Sequence, residues 1–329
     1  MTSDENGGAR NHHFVPQFYL KGFARPRSKD GRLTVFDLKT RKSFATRPRN
    51  VAARRDYNRI EIEGQDPNAI ESQLALIEAD ADQAFRRIIG AQSIDDADDF
   101  SFVLMLIARI ALSNPSFREQ RDKMIGQIGS MMMRNIVATP ERWAAVTQQA
   151  GEELPGEVIP YEKMRAIVEG GGLTVGAAQE ALIEQEVALW PAIMPLLEQR
   201  KWTLLIAPPK STGFITCDRP FSLQENIPSP SRSPYGVGLG CADTTIIFSI
   251  SHDLAVVGTF EHGGTTSVVT EQIVAAVNFQ MLQAAMRQIY APADFSINDI
   301  GPKVSLFSQS ELWRRIRERS VEEGSQPDR

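Results

Sequence analysis

Asp95-Asp96-Ala97-Asp98-Asp99-Phe100-Ser101-Phe102-Val103-Leu104-Met105-Leu106-Ile107-Ala108-Arg109-Ile110-Ala111-Leu112 is the stretch from which the rest of the chain is read. The acids of 95–99 suit the positive end of a helix. From Phe100 to Leu112 the side chains are apolar on nearly every side, so this helix belongs at the centre of a core. The run is too short to span a bilayer, which takes about 20 apolar residues. Arg109 is its only charge. An unpaired guanidinium is very costly to bury, so Arg109 needs a partner or a route to the surface. A structural salt bridge and an anion-binding guanidinium both fit that requirement.

Helical periodicity continues on both sides of this run. Upstream, Asp66 can cap a helix that starts at Pro67. Ile70, Leu74, Ile77, Ala81, Phe85 and Ile88 mark its buried face, and Gly90 ends it. Downstream, helices are predicted over 117–137, over 140–150 with Thr139 as cap and Pro140 behind it, over 160–168, and over 176–199. Pro191 and Pro195 should kink or divide the last of these.

The period changes to that of strands at either end. Residues 31–46 read as a hairpin, with Leu33–Phe36 and Ser43–Ala45 as arms and Lys39–Lys42 as turn, and Tyr57–Ile62 as a further strand. Trp202–Ala207, Gly213–Thr216 and Thr244–Ile250 are strands, the last paired antiparallel with Leu254–Phe260. Ser229–Gly240, rich in Ser, Pro and Gly, reads as a long mobile loop. Helix returns over 267–288 and again over 309–319, where Ser308 and Glu311 form a capping box. The expected class is α+β, with a helical middle segment (about 67–199) packed on a mainly antiparallel β-sheet whose strands lie mostly in 200–265. The expected organisation is a flexible leader over 1–10, a single domain over 11–319 and a disordered tail over 320–329.

The 329 residues, 42% hydrophobic and 23% charged, have the balance of a folded protein with ample length for a core. No signal peptide or membrane anchor is legible, and a cytoplasmic location is expected. Cys217 and Cys241 match neither a disulfide framework nor metal spacing. Charge is uneven. Residues 1–60 hold 14 Lys/Arg against 5 Asp/Glu, a net +9, within a chain of net charge −5. The basic segment 10–59 could therefore attract a nucleic acid or a phosphate ligand. The plainer alternative is that it folds back on the acidic helix that follows it.

Asn11-His12-His13-Phe14-Val15-Pro16-Gln17-Phe18-Tyr19-Leu20-Lys21-Gly22-Phe23 resembles the opening signature of a bacterial family known as domain of unknown function 4238. Three further stretches fit the resemblance: Glu71-Ser72-Gln73-Leu74 with Ile77-Glu78, as an acidic first helix; Phe214-Ile215-Thr216-Cys217-Asp218-Arg219-Pro220, as a strand and its exit; and Val277-Asn278 followed by Tyr290-Ala291, as a closing helix. The resemblance covers roughly 11–290. Ser113 stands before Asn114-Pro115 where the family pattern leads one to expect Arg. The resemblance implies no activity, so chemistry has to be argued from the residues.

His12 and His13 are neighbours, and neighbours in a strand face opposite ways, so they are not expected to grip one ion. One of them in a cleft could act as general acid or base, and the alternative is a pair fixing the helix entry. Asp218, at the end of a strand, suits a catalytic or metal-binding carboxylate, or a turn that holds the chain. Glu71 and Glu78 lie along one margin of a buried stripe, where they could hold a divalent metal or sit as solvated acids. Asp37-Leu38-Lys39 has only the weak Asp-x-Lys spacing of restriction-type nucleases.

Two functions are therefore open. One is a hydrolase-like site on a phosphate-bearing or nucleic-acid substrate. His12, His13 and Asp218 would be catalytic, Gln17, Tyr19, Arg109 and Arg219 would bind substrate, and Glu71 and Glu78 would bind metal. The other is a non-catalytic binding module in which the same residues hold the fold. No P-loop, Rossmann glycine pattern, Gly-x-Ser-x-Gly elbow or His-Glu-x-x-His is present.

Overall fold

The structure, a computed structural model, describes residues 10–151, 158–226 and 237–297 together with Glu311 and Arg314. The expected leader apart from Arg10, most of the loop at 229–240, the basic helix at 309–319 apart from Glu311 and Arg314, and the tail from Ser320 lie outside the described residues. Contacts group the chain into two compact units. One holds the chain up to Asn114 and from Val187 onward, and the other is Pro115–Glu186.

The smaller unit is helical. It contains α4 (Pro115–Ile136), α5 (Pro140–Ala150), α6 (Tyr161–Glu169) and the start of α7 (Gln179–Glu198). Thr139 caps α5 as expected, its hydroxyl accepting the Arg142 amide. Buried Glu186 is gripped by the Arg118 guanidinium through Nε (2.6 Å) and Nη2 (2.7 Å). Such two-point pairs fix direction as well as charge. α7 stays one helix through Pro191 and Pro195.

The larger unit contains α1 (Gln17–Leu20), α2 (Ala69–Ala91), α3 (Ala97–Leu112), α8 (Glu271–Ala284) and three sheets. β1 (Asn11–His13) pairs β4 (Ala53–Arg55). A five-stranded sheet runs in the order β10 (Thr266–Val268), β5 (Lys201–Ile206), β9 (Leu254–Thr259), β8 (Thr244–Ser249), β7 (Ser222–Glu225). A four-stranded sheet runs β3 (Lys42–Thr46), β2 (Leu33–Asp37), β11 (Gln288–Ala291), β6 (Thr216–Cys217). Every described pairing is antiparallel except β10 with β5, which makes this an α+β fold. Among the described residues no single helix is long and apolar enough to cross a membrane.

α3 is central, as its composition demands. Val103, Leu106, Ile107 and Ile110 are sealed in a core shared with α1, α2 and the strand residues Leu204, Phe248 and Val256. Asp96 caps α3 by accepting the Asp99 amide at 3.0 Å.

Some boundaries differ from expectation. α2 starts at Ala69 rather than Pro67, because Asp66 closes a local turn onto the Asn68 amide (2.9 Å) instead of capping the helix. It runs through Gly90 and stops at Gln92, which is left-handed (φ 49°). No strand covers 57–62. The extended run is 53–55, and it is broken at Asp56, whose φ is 55°. Tyr290-Ala291, expected in a closing helix, lies in β11, while Val277-Asn278 is in α8. Pro16 precedes the four residues of α1, and the 3-10 turn Lys21–Phe23, with Gly22 inside it, continues that helix.

Candidate functional site

The opening signature is strand, then turn, then short helix. β1 lies antiparallel to β4 with His12 opposite Arg54 and His13 opposite Ala53. The chain leaves this ladder with the Phe14 amide on the Ala52 carbonyl (3.0 Å) and enters α1 after Pro16. Alternation along the strand sends the two imidazoles to opposite sides, and both sides are interior: His12 is fully buried and His13 is 8% exposed.

His12 Nδ1 accepts the backbone N–H of Asn58 at 2.9 Å. The Asn58 side-chain amide donates to Glu71 Oε2 at 2.9 Å. Glu71 Oε2 stands 4.0 Å from His12 Nδ1. A ring nitrogen that accepts an amide proton carries none of its own, so this approach is proximity and not an ion pair. Asn58 is the link between the two.

His13 faces α1. Gln17 Nε2 lies 3.4 Å from His13 Nδ1, and the ring's other nitrogen is Nε2. That nitrogen is sealed and has no partner of good geometry. Burial is the largest influence on His13 and pushes its pKa below the usual histidine value. The Arg49 carbonyl and the Glu71 charge push back without cancelling it. Behind the ring, Arg109 donates through Nη2 to the His13 carbonyl (3.2 Å) and through Nη1 to Glu78 Oε1 (2.7 Å). The lone charge of the apolar helix thus ties α3 to α2 and to the opening strand. Glu71 and Glu78 have different partners, Asn58 and Arg109. Among the described residues no group of three or more His, Cys, Asp or Glu is arranged to hold a metal ion.

Asp218 stands in a second cluster. Its Oδ1 accepts the Met286 amide (2.8 Å), and its Oδ2 accepts those of Arg287 (2.9 Å) and Gln288 (3.0 Å). Burial raises its carboxyl above the ordinary aspartate value, and these amides only partly offset that. Arg219 donates to the Ala284 carbonyl (2.9 Å). The carboxylate of Asp37 holds its hairpin turn through the Thr40 amide (2.8 Å) and accepts Arg287 Nε at 2.7 Å. None of the hydrogen bonds of Asp218 reaches either histidine.

Tyr19 joins the first motif to the third. Its hydroxyl donates to the Ser249 carbonyl (2.7 Å), which can only accept, so the Thr216 hydroxyl at 2.6 Å donates to Tyr19. The whole side chain is core, at 1% exposure. Asn278, fully buried, accepts the Ile215 amide (2.9 Å) and donates to the carbonyls of Gly213 and Ser296 (3.0 Å each).

A family model described as a protein of unknown function, DUF4238, matches residues 11–294. The chain belongs to the DUF4238 family. No curated protein and no solved structure matches it. In this DUF4238 chain the match begins at the first residue of β1 and ends just past β11, so it takes in both polar clusters.

Sequence reasoning found His12, His13, Gln17, Glu71, Glu78 and Arg109, which the DUF4238 fold gathers around β1. It missed Asn58, which was assigned to a strand. The break at Asp56 and the turn-prone pair Asp56 and Asn58 were the available signal. It also missed the amides of 286–288, which carry no side-chain signature at all.

Proposed function

We propose that this chain is a non-catalytic binding module whose most specific motifs hold the fold instead of performing chemistry. The observation that carries this reading is the Asp218 carboxylate, which is 5% exposed and has both oxygens committed to three consecutive amides. A carboxylate held in this way is poorly placed to bind a metal or activate water. Arg109, Asn278 and Tyr19 follow the same pattern, with buried polar heads that meet backbone carbonyls or fixed side chains. The test is a panel of phosphomonoester, phosphodiester and carboxyl-ester substrates, assayed with the purified chain and with Asp218→Ala and His13→Ala. No turnover by any form is expected. Turnover by the parent that either substitution abolishes, in a variant that still folds by circular dichroism, would overturn the reading.

One observation favours the acid–base alternative. His13 Nε2 is a sealed polar atom without a partner, and burial keeps the ring neutral near pH 7. A neutral imidazole is a competent base. His13→Gln in the same panel separates the two, because a hydrolase would lose its activity while a binding module would show none to lose.

A further inference from the structure

A cleft of about 510 Å³ opens beside the opening signature, between α1, the turn after it and the C-terminal end of α2. Its floor is apolar. Phe18 and Phe85 meet edge to face with centroids 5.3 Å apart, and Ile89 and Ile250 extend the strip. Its edge is cationic, with Lys21, Arg27, Lys29 and Arg86 all lining the cleft. Asp82 draws in Lys21 (3.3 Å) and Arg86 (2.7 Å), and Asp253 pairs with Arg27. Four cations against these two acids leave an excess of about two positive charges around one hollow. Its volume falls within the range of roughly 300–1,000 Å³ usual for small-ligand sites.

We infer that this cleft is a binding site for a phosphate monoester carried on a planar aromatic body, the chemistry of a nucleoside monophosphate. A phosphate monoester carries about −1.5 to −2 charges at neutral pH, close to the uncompensated excess at the edge. Arg and Lys recognise it by charge-assisted hydrogen bonds. The floor offers part-exposed Ile89 and the narrow exposed margins of Phe18 and Phe85, apolar surface that a bare phosphate would leave unused and a planar base would cover. The cations come chiefly from the basic N-terminal segment, and their excess gives that segment a use. The inference rests on the binding-module reading and supplies its ligand.

Gly90 provides a clean test. It lines the cleft from within α2, and a Cβ built there meets no atom within 4 Å. Gly90→Phe therefore starts from open space at the cleft and is expected to obstruct it, and it replaces a poor helix former. Isothermal titration calorimetry of the full chain with AMP, CMP, GMP and UMP, at low salt, is expected to show binding of at least one in the range of about 1 mM or tighter. The matching nucleoside and inorganic phosphate alone should each bind at least tenfold more weakly. The double substitution Lys29→Ala and Arg86→Ala should weaken the nucleotide roughly tenfold or more. Gly90→Phe should abolish binding with no loss of melting temperature. The inference is overturned if no nucleotide binds, if inorganic phosphate binds as well as the nucleotide, or if Gly90→Phe leaves affinity unchanged. Phosphorus NMR of the same mixtures separates the two proposals. Nucleotide that binds and is then hydrolysed supports the site and removes the non-catalytic reading. Absence of binding removes the site and leaves that reading intact.

Discussion

Asp218 shows how one side chain can carry a structural load that its sequence context hides. Three amides in a row, Met286 to Gln288, run from the bend before β11 into its first residue, and the carboxylate satisfies all of them. Asp218→Ala leaves three part-buried N–H groups without this acceptor, each costing up to about 1–3 kcal/mol. The urea midpoint should fall by an amount equivalent to several kcal/mol. Asp218→Asn should recover only part of this, because its NH2 faces donors. A loss below about 1 kcal/mol in Asp218→Ala would mean that the clamp is dispensable. The position of Asp218 at a strand end was legible in the sequence, but its partners were not. Main-chain amides leave no mark in a sequence, whereas the opening histidines and Arg109 announced themselves as polar groups in apolar settings.

At the level of elements, what was readable follows how local each signal is. α3 was evident from its own composition, and the hairpin β2–β3 from alternation around a short turn. Its cap was legible only as a block of acids, of which Asp96 does the capping. Asp96→Ala should therefore cost about 1 kcal/mol, while Asp98→Ala, two residues further in, should cost less than half as much. Equal losses in chemical denaturation would show that charge at the helix start matters more than the cap. β7 escaped notice because four residues carry too little pattern, and the strand expected over Gly213–Thr216 meets β6 (Thr216–Cys217) only at Thr216. Lys21–Asp82 is one described ion pair through which the basic segment reaches the acidic helix, while Arg10, Arg27, Arg47 and Arg59 also pair with Asp56, Asp253, Asp30 and Glu61.

For the molecule as a whole, buried His13 and half-buried His252 set an acid limit. Burial lowers the pKa of His13 against the opposing pull of the Arg49 carbonyl and Glu71, with Arg109 and His12 adding to the lowering. Burial likewise lowers His252, where Asp253 opposes it and Arg25 and Arg27 add to it. A histidine with a depressed folded value takes up its proton more readily when unfolded. Its contribution to stability is complete above the unfolded value of about 6.5 and is lost as pH falls toward the folded value. Between those two values each such group lowers stability by up to about 1.4 kcal/mol per pH unit. Urea midpoints followed from pH 7.5 down to pH 5 should decline, and the decline should flatten in a His13→Gln, His252→Gln variant. An identical slope in both proteins would remove the histidines as its cause.

β11 has a consequence for how the molecule is made. It sits between β2 and β6, so residues 288–291 separate two strands that precede them, one by about 250 positions. A ribosome that has released only the first hairpin has delivered half of a sheet, with the inner edge of β2 still waiting for a strand made about 250 residues later. Nascent chains arrested before Gln288 should therefore remain protease-sensitive and in need of chaperones, however complete their helices.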